Sequence, residues 1–149
     1  MNINHLSISW SVSRGRDTYG YNICRLDDRN GRQRFRTCGG GYDMIGTVFG
    51  QWLSSVYQDR LMSKAAELMS IPDASSPYGT TGWVQFKNLY GMVYRPASPD
   101  GKSPAKVSLD GACGIESMRR IAESIGLEVE WEGNRKGHTI GYFIQDNLA

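Results

Sequence analysis

The sequence holds only three cysteines, Cys24, Cys38 and Cys113, and no two of them form a CxxC pair. An odd, scattered set of thiols excludes a small scaffold stapled by disulfides and suits a reducing compartment. Histidine is scarcer still, with His5 and His138 the two present. A structural zinc site needs clustered nitrogen and sulfur ligands, so none is expected, and no other cofactor is implied. Charge of one sign is also missing, the net being +2 over 149 residues. That excludes an acidic nucleic-acid mimic and removes any need for a polyanionic partner. No run approaches the ~18 consecutive apolar residues of a membrane span, and Met1 to Leu6 lacks the basic stretch of a signal peptide. These absences point to the cytoplasm and away from the membrane. Neither a Walker loop nor G-x-G-x-x-G occurs, so the common phosphate-cradling loops are absent as well.

What is present is apolar and aromatic surface, including four Trp, eight Tyr and four Phe. A chain of this length forms one domain, residues 1–149, with a core of its own. Leu6 to Ser13 alternates apolar and small polar residues, which predicts a strand with Leu6, Ile8, Trp10 and Val12 facing inward. Tyr19 to Leu26 and Arg32 to Cys38 follow as strands, separated by Asn30-Gly31, a pair suited to a two-residue type I′ hairpin turn. Leu6 to Cys38 therefore reads as a three-stranded meander. From Met44 to Met69 apolar residues recur at helical period, with a bend allowed near the middle, until Pro72. Asp73 to Gly82 is rich in Ser, Pro, Gly and Thr and reads as a flexible loop, as does the proline-bearing stretch Arg95 to Ala105.

Trp83 to Tyr94 predicts a strand broken near Gly91, and Lys106 to Leu109 a short one after it. Ile115 to Ile125 forms a second amphipathic helix closed by Gly126. Leu127 to Trp131 and Thr139 to Ile144 make a final hairpin. Strands and helices are segregated, so the fold class is α+β: an antiparallel sheet, built from the N-terminal meander and the C-terminal hairpin, with two main helices on one face.

The strongest electrostatic feature lies in the first hairpin. Seven Arg stand against three Asp between Arg14 and Arg36, while the remainder of the chain is net negative. With a two-residue turn, Arg29 would oppose Arg32, Arg34 would oppose Asp27, and Arg36 would oppose Arg25. Tyr19, Tyr21, Arg25, Arg32, Arg34 and Arg36 would then share one face with Ile23 and Cys38. Cys24, Leu26, Phe35 and Thr37 would share the other, which is the core side. The Arg/Tyr face is the candidate binding surface, for a protein partner or for a nucleic acid that its arginines neutralise and its tyrosines stack upon. A solvated outer face is the plainer alternative. The same register separates Cys24 from Cys38, so no disulfide joins them.

Four other features carry weaker chemistry. Gly39-Gly40-Gly41 before a helix suits a sharp reversal or an anion at the helix start. Gly46, Gly50 and Ser54 repeat every four residues, and two helical glycines need a close neighbour. That neighbour is the protein's own sheet or a second copy in a homodimer. Cys113 at a helix start with His138 downstream would be the pair of a thiol enzyme. Arg135-Lys136, at the tip of the last hairpin, resembles the wing of a winged helix, with Arg119 and Arg120 facing a groove.

Ser9 to Ser13 with Tyr19 to Ile23, Gly39 to Gly50, and Ser108 to Gly114 together resemble small accessory proteins of tailed bacteriophages and prophages. The resemblance spans most of the chain outside the two loops and includes no motif of known chemistry, so it assigns no residue. It implies a non-enzymatic factor that binds and redirects a host protein or ribonucleoprotein complex. Inhibitors of host defence, such as anti-CRISPR proteins, belong to that class.

Overall fold

The computed structural model describes residues 2–13, 21–39, 44–133 and 137–148. Strand β1, Asn2–Ser13, is longer than its alternating core because its two halves have different partners. Ser7 to Ser13 pairs with β2 (Tyr21–Asp27), and Asn2 to Ser9 pairs with β9 (Thr139–Asp146). Strand β3 (Gln33–Gly39) flanks β2, and β8 (Leu127–Trp131) flanks β9. The result is a five-stranded antiparallel sheet in the order β3-β2-β1-β9-β8. The N-terminal meander and the C-terminal hairpin thus meet on β1, giving the expected α+β layout. Leu6, Ile8, Cys24 and Leu26 are buried on its inner face, as the period of two requires.

The long apolar run divides into α1 (Met44–Val56) and α2 (Gln58–Met69), hinged at Tyr57, whose φ of −120° leaves the helical range. Backbone bonds from Tyr57 N–H to Leu53 and from Leu61 N–H to Tyr57 carry the chain across the hinge. Helix α1 buries Val48, Phe49, Trp52 and Leu53, whereas α2 buries only Leu61 and Ala65 along one side. Helix α3 (Ile115–Ser124) ends at Gly126, whose φ of 93° serves the left-handed stop that glycine supplies at least cost.

The middle of the chain departs from expectation. Asp73 to Gly82 is not simply a loop, because Ser75–Tyr78 forms strand β4, paired with β5 (Trp83–Phe86). Its composition hid it: proline is tolerated in a strand at a sheet edge, and β4 is an edge. Trp83 to Tyr94 is two strands, β5 and β6 (Met92–Arg95), with β7 (Lys106–Leu109) beyond. Together β4-β5-β6-β7 make a second antiparallel sheet. The connection after Arg95 is closed on itself. Ser98 N–H donates to Ser103 O at 2.9 Å, and the Ser98 hydroxyl donates to Asp100 at 2.6 Å. Those donors hold the exposed Asp100 carboxyl below its ordinary range, the Ser98 hydroxyl first and the Lys102 N–H second.

Helix α1 lies against β2, β3 and β7, and α2 also meets β7. The helices therefore pack on both sheets, with one buried cluster running from Leu6 to Ile144. Its largest fully buried members, Phe49 and Phe86, contribute roughly 1.5–3 kcal/mol each.

Two contacts lock this arrangement. Gly46 of α1 abuts the 3-10 turn Gly111–Cys113, whose Asp110 cap accepts from Ala112 N–H at 3.1 Å. A Cβ on Gly46 would strike the Gly111 carbonyl and come within 2.8 Å of Gly114 C, and one on Gly111 would strike Thr47 Cα. Gly50, one turn on, meets Met118 Sδ of α3. The glycine row thus faces this turn, α3 and, at Leu109, strand β7 of its own chain, so a sheet of the same chain is among its close neighbours. Farther along, Arg60 of α2 donates to both oxygens of buried Asp146 at 2.7 and 2.8 Å, tying the helix to the end of β9. Among the described residues no helix is long and apolar enough to cross a membrane.

Candidate functional site

Opposite the helices, the five-stranded sheet presents a face that no described element covers. Residues directly opposite in antiparallel strands share a face, so the pairing fixes its membership. One row runs Thr139, Ser9, Arg25, Arg36, and the next runs Gly141, Ser7, Asp27, Gln33. Arg25 and Arg36 are directly opposite one another, as expected, and both are exposed. With Ser9, Ile23 and Gln33 they line a depression of about 400 Å³. Arg25 Nε donates to Asp27 Oδ1 at 2.7 Å. Arg36 makes no ion pair with a described residue.

The turn differs from the expected one. Asn30 does not have positive φ, so the turn is not type I′; Gly31 alone does, at 76°. Asp28 organises it, its Oδ1 accepting from Asn30 N–H at 2.9 Å and Arg32 N–H at 3.0 Å. These bonds, Arg32's first, hold the Asp28 carboxyl low, helped by the charges of Arg34 and Arg32. The longer turn shifts the register, so Asp27 opposes Gln33 rather than Arg34, and Arg34 becomes the extra residue of a bulge. Arg32 and Arg34 remain exposed, Arg32 at the turn. Tyr19 lies outside the described residues, as do Arg14 and Arg16. Tyr21 pairs with Ser13 at the start of β2, its side chain outside the description. Cys24 opposes Thr37 and Cys38 opposes Ile23, and no disulfide joins any of the three cysteines.

The far end of the same face carries the opposite charge. Glu128 opposes Gln145 and Glu130 opposes Phe143, while Glu132 bonds through its N–H to Gly141 O. Glu132 occupies the space where a Gly141 side chain would stand and lies 3.5 Å from His5 Nε2. The face therefore runs from arginine on β2 and β3, across the serines of β1, to glutamate on β8. Alternating glutamates are visible in the sequence, but that they share a face with the arginines depends on β1 bridging the two hairpins.

The other features fall elsewhere. Cys113 is half-buried in the 3-10 turn, 3.4 Å from where a Gly91 side chain would begin. The His138 imidazole stacks on Trp10 with centroids 5.8 Å apart. Arg119 is engaged by Glu123 at 3.1 Å and Glu116 at 3.8 Å on its own helix. Arg120 is exposed, and Arg135-Lys136 lies outside the described residues, as do Gly40, Gly41 and Asp43. No group of three metal-ligating side chains exists among the described residues.

Among the described residues, cavities also lie elsewhere. One of about 540 Å³ between α2 and the end of α3 contains Arg60 and Lys64, cations already paired with Asp146 and Glu67. A smaller groove of about 250 Å³ lies between α3 and β8, walled by Ile115, Val129, Tyr142 and the half-exposed Trp131. Burial, chiefly, and the Glu116 charge push the Tyr142 hydroxyl up. Comparison of the chain with known protein families, curated proteins and solved structures finds no match.

Proposed function

We propose that the protein is a non-enzymatic binding factor whose contact surface is the arginine half of the open sheet face. The observation that carries this reading is the exposed Arg25–Arg36 pair over a depression on an uncovered sheet. Two guanidiniums directly opposite repel each other, an arrangement that costs stability and that an anionic partner group would relieve. Arginine is also a residue that anchors interfaces more often than its abundance predicts.

The chemistry favours a protein partner with a carboxylate patch over nucleic acid. A phosphate backbone laid across this sheet would meet Glu128 and Glu130 within the same face, whereas a protein can match plus and minus in one contact. The resemblance to phage accessory proteins supplies the setting, a host protein or ribonucleoprotein complex such as a defence complex. The reading uses neither Cys113 nor His138.

The test is capture of partners from a bacterial host lysate by the tagged protein, with and without nuclease, using wild type beside R25E/R36E. The expected result is a stoichiometric protein that survives nuclease and is lost with the variant, binding falling by more than ~2 kcal/mol. A partner retained equally by the variant would refute the surface assignment. Recovery only of nucleic acid, with affinity that falls steeply with salt, would replace the protein partner by a polyanion.

A further inference from the structure

The two edges of the five-stranded sheet are β3 and β8, and among the described residues neither has an outer partner. An edge strand offers a row of free N–H and C=O groups to any chain that can pair with it. Beyond the bulge, β3 offers the regular stretch Phe35 to Gly39, and β8 the equally long Leu127–Trp131. On the open face the first edge carries Arg36, with Arg34 at the bulge beside it, and the second carries Glu128 and Glu130. All four side chains are exposed. Charge therefore decides which edges can meet. Two β8 edges would set glutamate against glutamate, and two β3 edges arginine against arginine, and like charges directly opposite disfavour pairing. Only β3 against β8 places opposite charges across the new ladder.

We infer that the protein self-associates head to tail, β3 of one copy pairing with β8 of the next, so that the sheet continues from chain to chain. The contact is heterologous, so it closes into a ring or extends as a filament according to the rotation between copies. It shares Arg36 with the proposed contact surface but does not rest on that reading, and its readout is mass rather than partner capture.

The test is sedimentation velocity over a concentration series at low and high salt, on the full chain. Wild type should gain mass with concentration, and the gain should weaken when salt shortens the Debye length from about 10 Å to about 3 Å. R34E/R36E leaves both edges acidic, and E128R/E130R leaves both basic. Each alone should raise the self-dissociation constant more than about tenfold, equivalent to about 1.4 kcal/mol. Mixed in equal amounts, the two variants should associate again, because each junction once more joins an acidic edge to a basic one. All four substituted positions are exposed, and circular dichroism of each variant would establish that it is folded. A wild type that stays monomeric throughout the series would overturn the inference. So would a folded variant that associates as well as wild type, or a mixture that fails to associate.

Discussion

The seam between α1 and the 3-10 turn and the open face of the five-stranded sheet are built to opposite tolerances. At the seam, the Gly46 and Gly111 backbones touch with no side chain between them. On the face, Arg36 and Glu130 are exposed, and neither forms an ion pair with a described residue. The seam is thus where stability is concentrated, and the face is where sequence can change without disturbing the fold.

The largest expected effect lies at the seam. Gly46→Ala or Gly111→Ala forces backbone against backbone, which a flexible side chain cannot absorb, and should cost more than about 3 kcal/mol, the upper range for overpacking. Chemical denaturation of Gly46→Ala beside Gly50→Ala sharpens the point. A Cβ at Gly50 meets Met118 Sδ at 3.1 Å, and that flexible side chain can move, so the second variant should lose far less. Equal losses would mean that the seam is not the rigid element. Next in size is Arg60→Ala, which leaves the Asp146 carboxylate buried without its two guanidinium bonds. The expected cost is about 3 kcal/mol at neutral pH, the usual penalty for halving a buried ion pair. A loss below 1 kcal/mol, about the worth of a surface pair, would show that water replaces the arginine.

The same contrast explains what could be read from the sequence. The five strands of the first sheet were legible because their period-two alternation survives in Leu6-Ser7-Ile8-Ser9 and in Cys24 to Leu26. The cross-strand match of Arg25 with Arg36 was also legible, because it depends only on counting outward from a hairpin. Turn chemistry then defeated the count near the tip, where the Asp28 carboxylate captures two backbone N–H groups and lengthens the turn by one residue's worth of register. Strand β4 was illegible because Ser75 to Tyr78 has the composition of a loop and becomes a strand only by pairing with β5. The glycine row announced a close neighbour but not which one, since Gly111 lies 65 positions from Gly46 along the chain. The acidic end of the open face was illegible for the same reason, because it reaches the arginines only through tertiary pairing.

A smaller effect tests the inner side of the same sheet. Burial pushes the Cys24 thiol up to about 11, a backbone bond from Arg25 opposing it only in part. The folded state then binds a proton more tightly than the unfolded one, whose thiol titrates near 9. Its contribution is full below pH 9 and is lost as pH rises toward 11, amounting to at most about 2–3 kcal/mol. Tyr142 and Tyr57, also raised by burial, add to the same alkaline loss. Denaturation of wild type and Cys24→Ala at mildly and strongly alkaline pH separates them, since only the wild type has the thiol component. Parallel loss in the two proteins would remove Cys24 from the account.

The smallest effect bears most directly on the comparison. Arg36→Glu replaces a repelling pair across β2 and β3 with an attracting one, because Arg25 is directly opposite. Cross-strand charge pairs contribute roughly 0.2–1 kcal/mol, and Arg25 is already partly neutralised by Asp27, so a gain of a few tenths of a kcal/mol is expected. Partner capture and self-association should fall in the same variant. A substitution that stabilises the fold while removing its contacts would mean that the arginine pair is kept for recognition at the expense of stability. If Arg36→Glu instead lowers the denaturation midpoint by as much as a buried substitution does, the open face helps to hold the frame, and the division between seam and face fails.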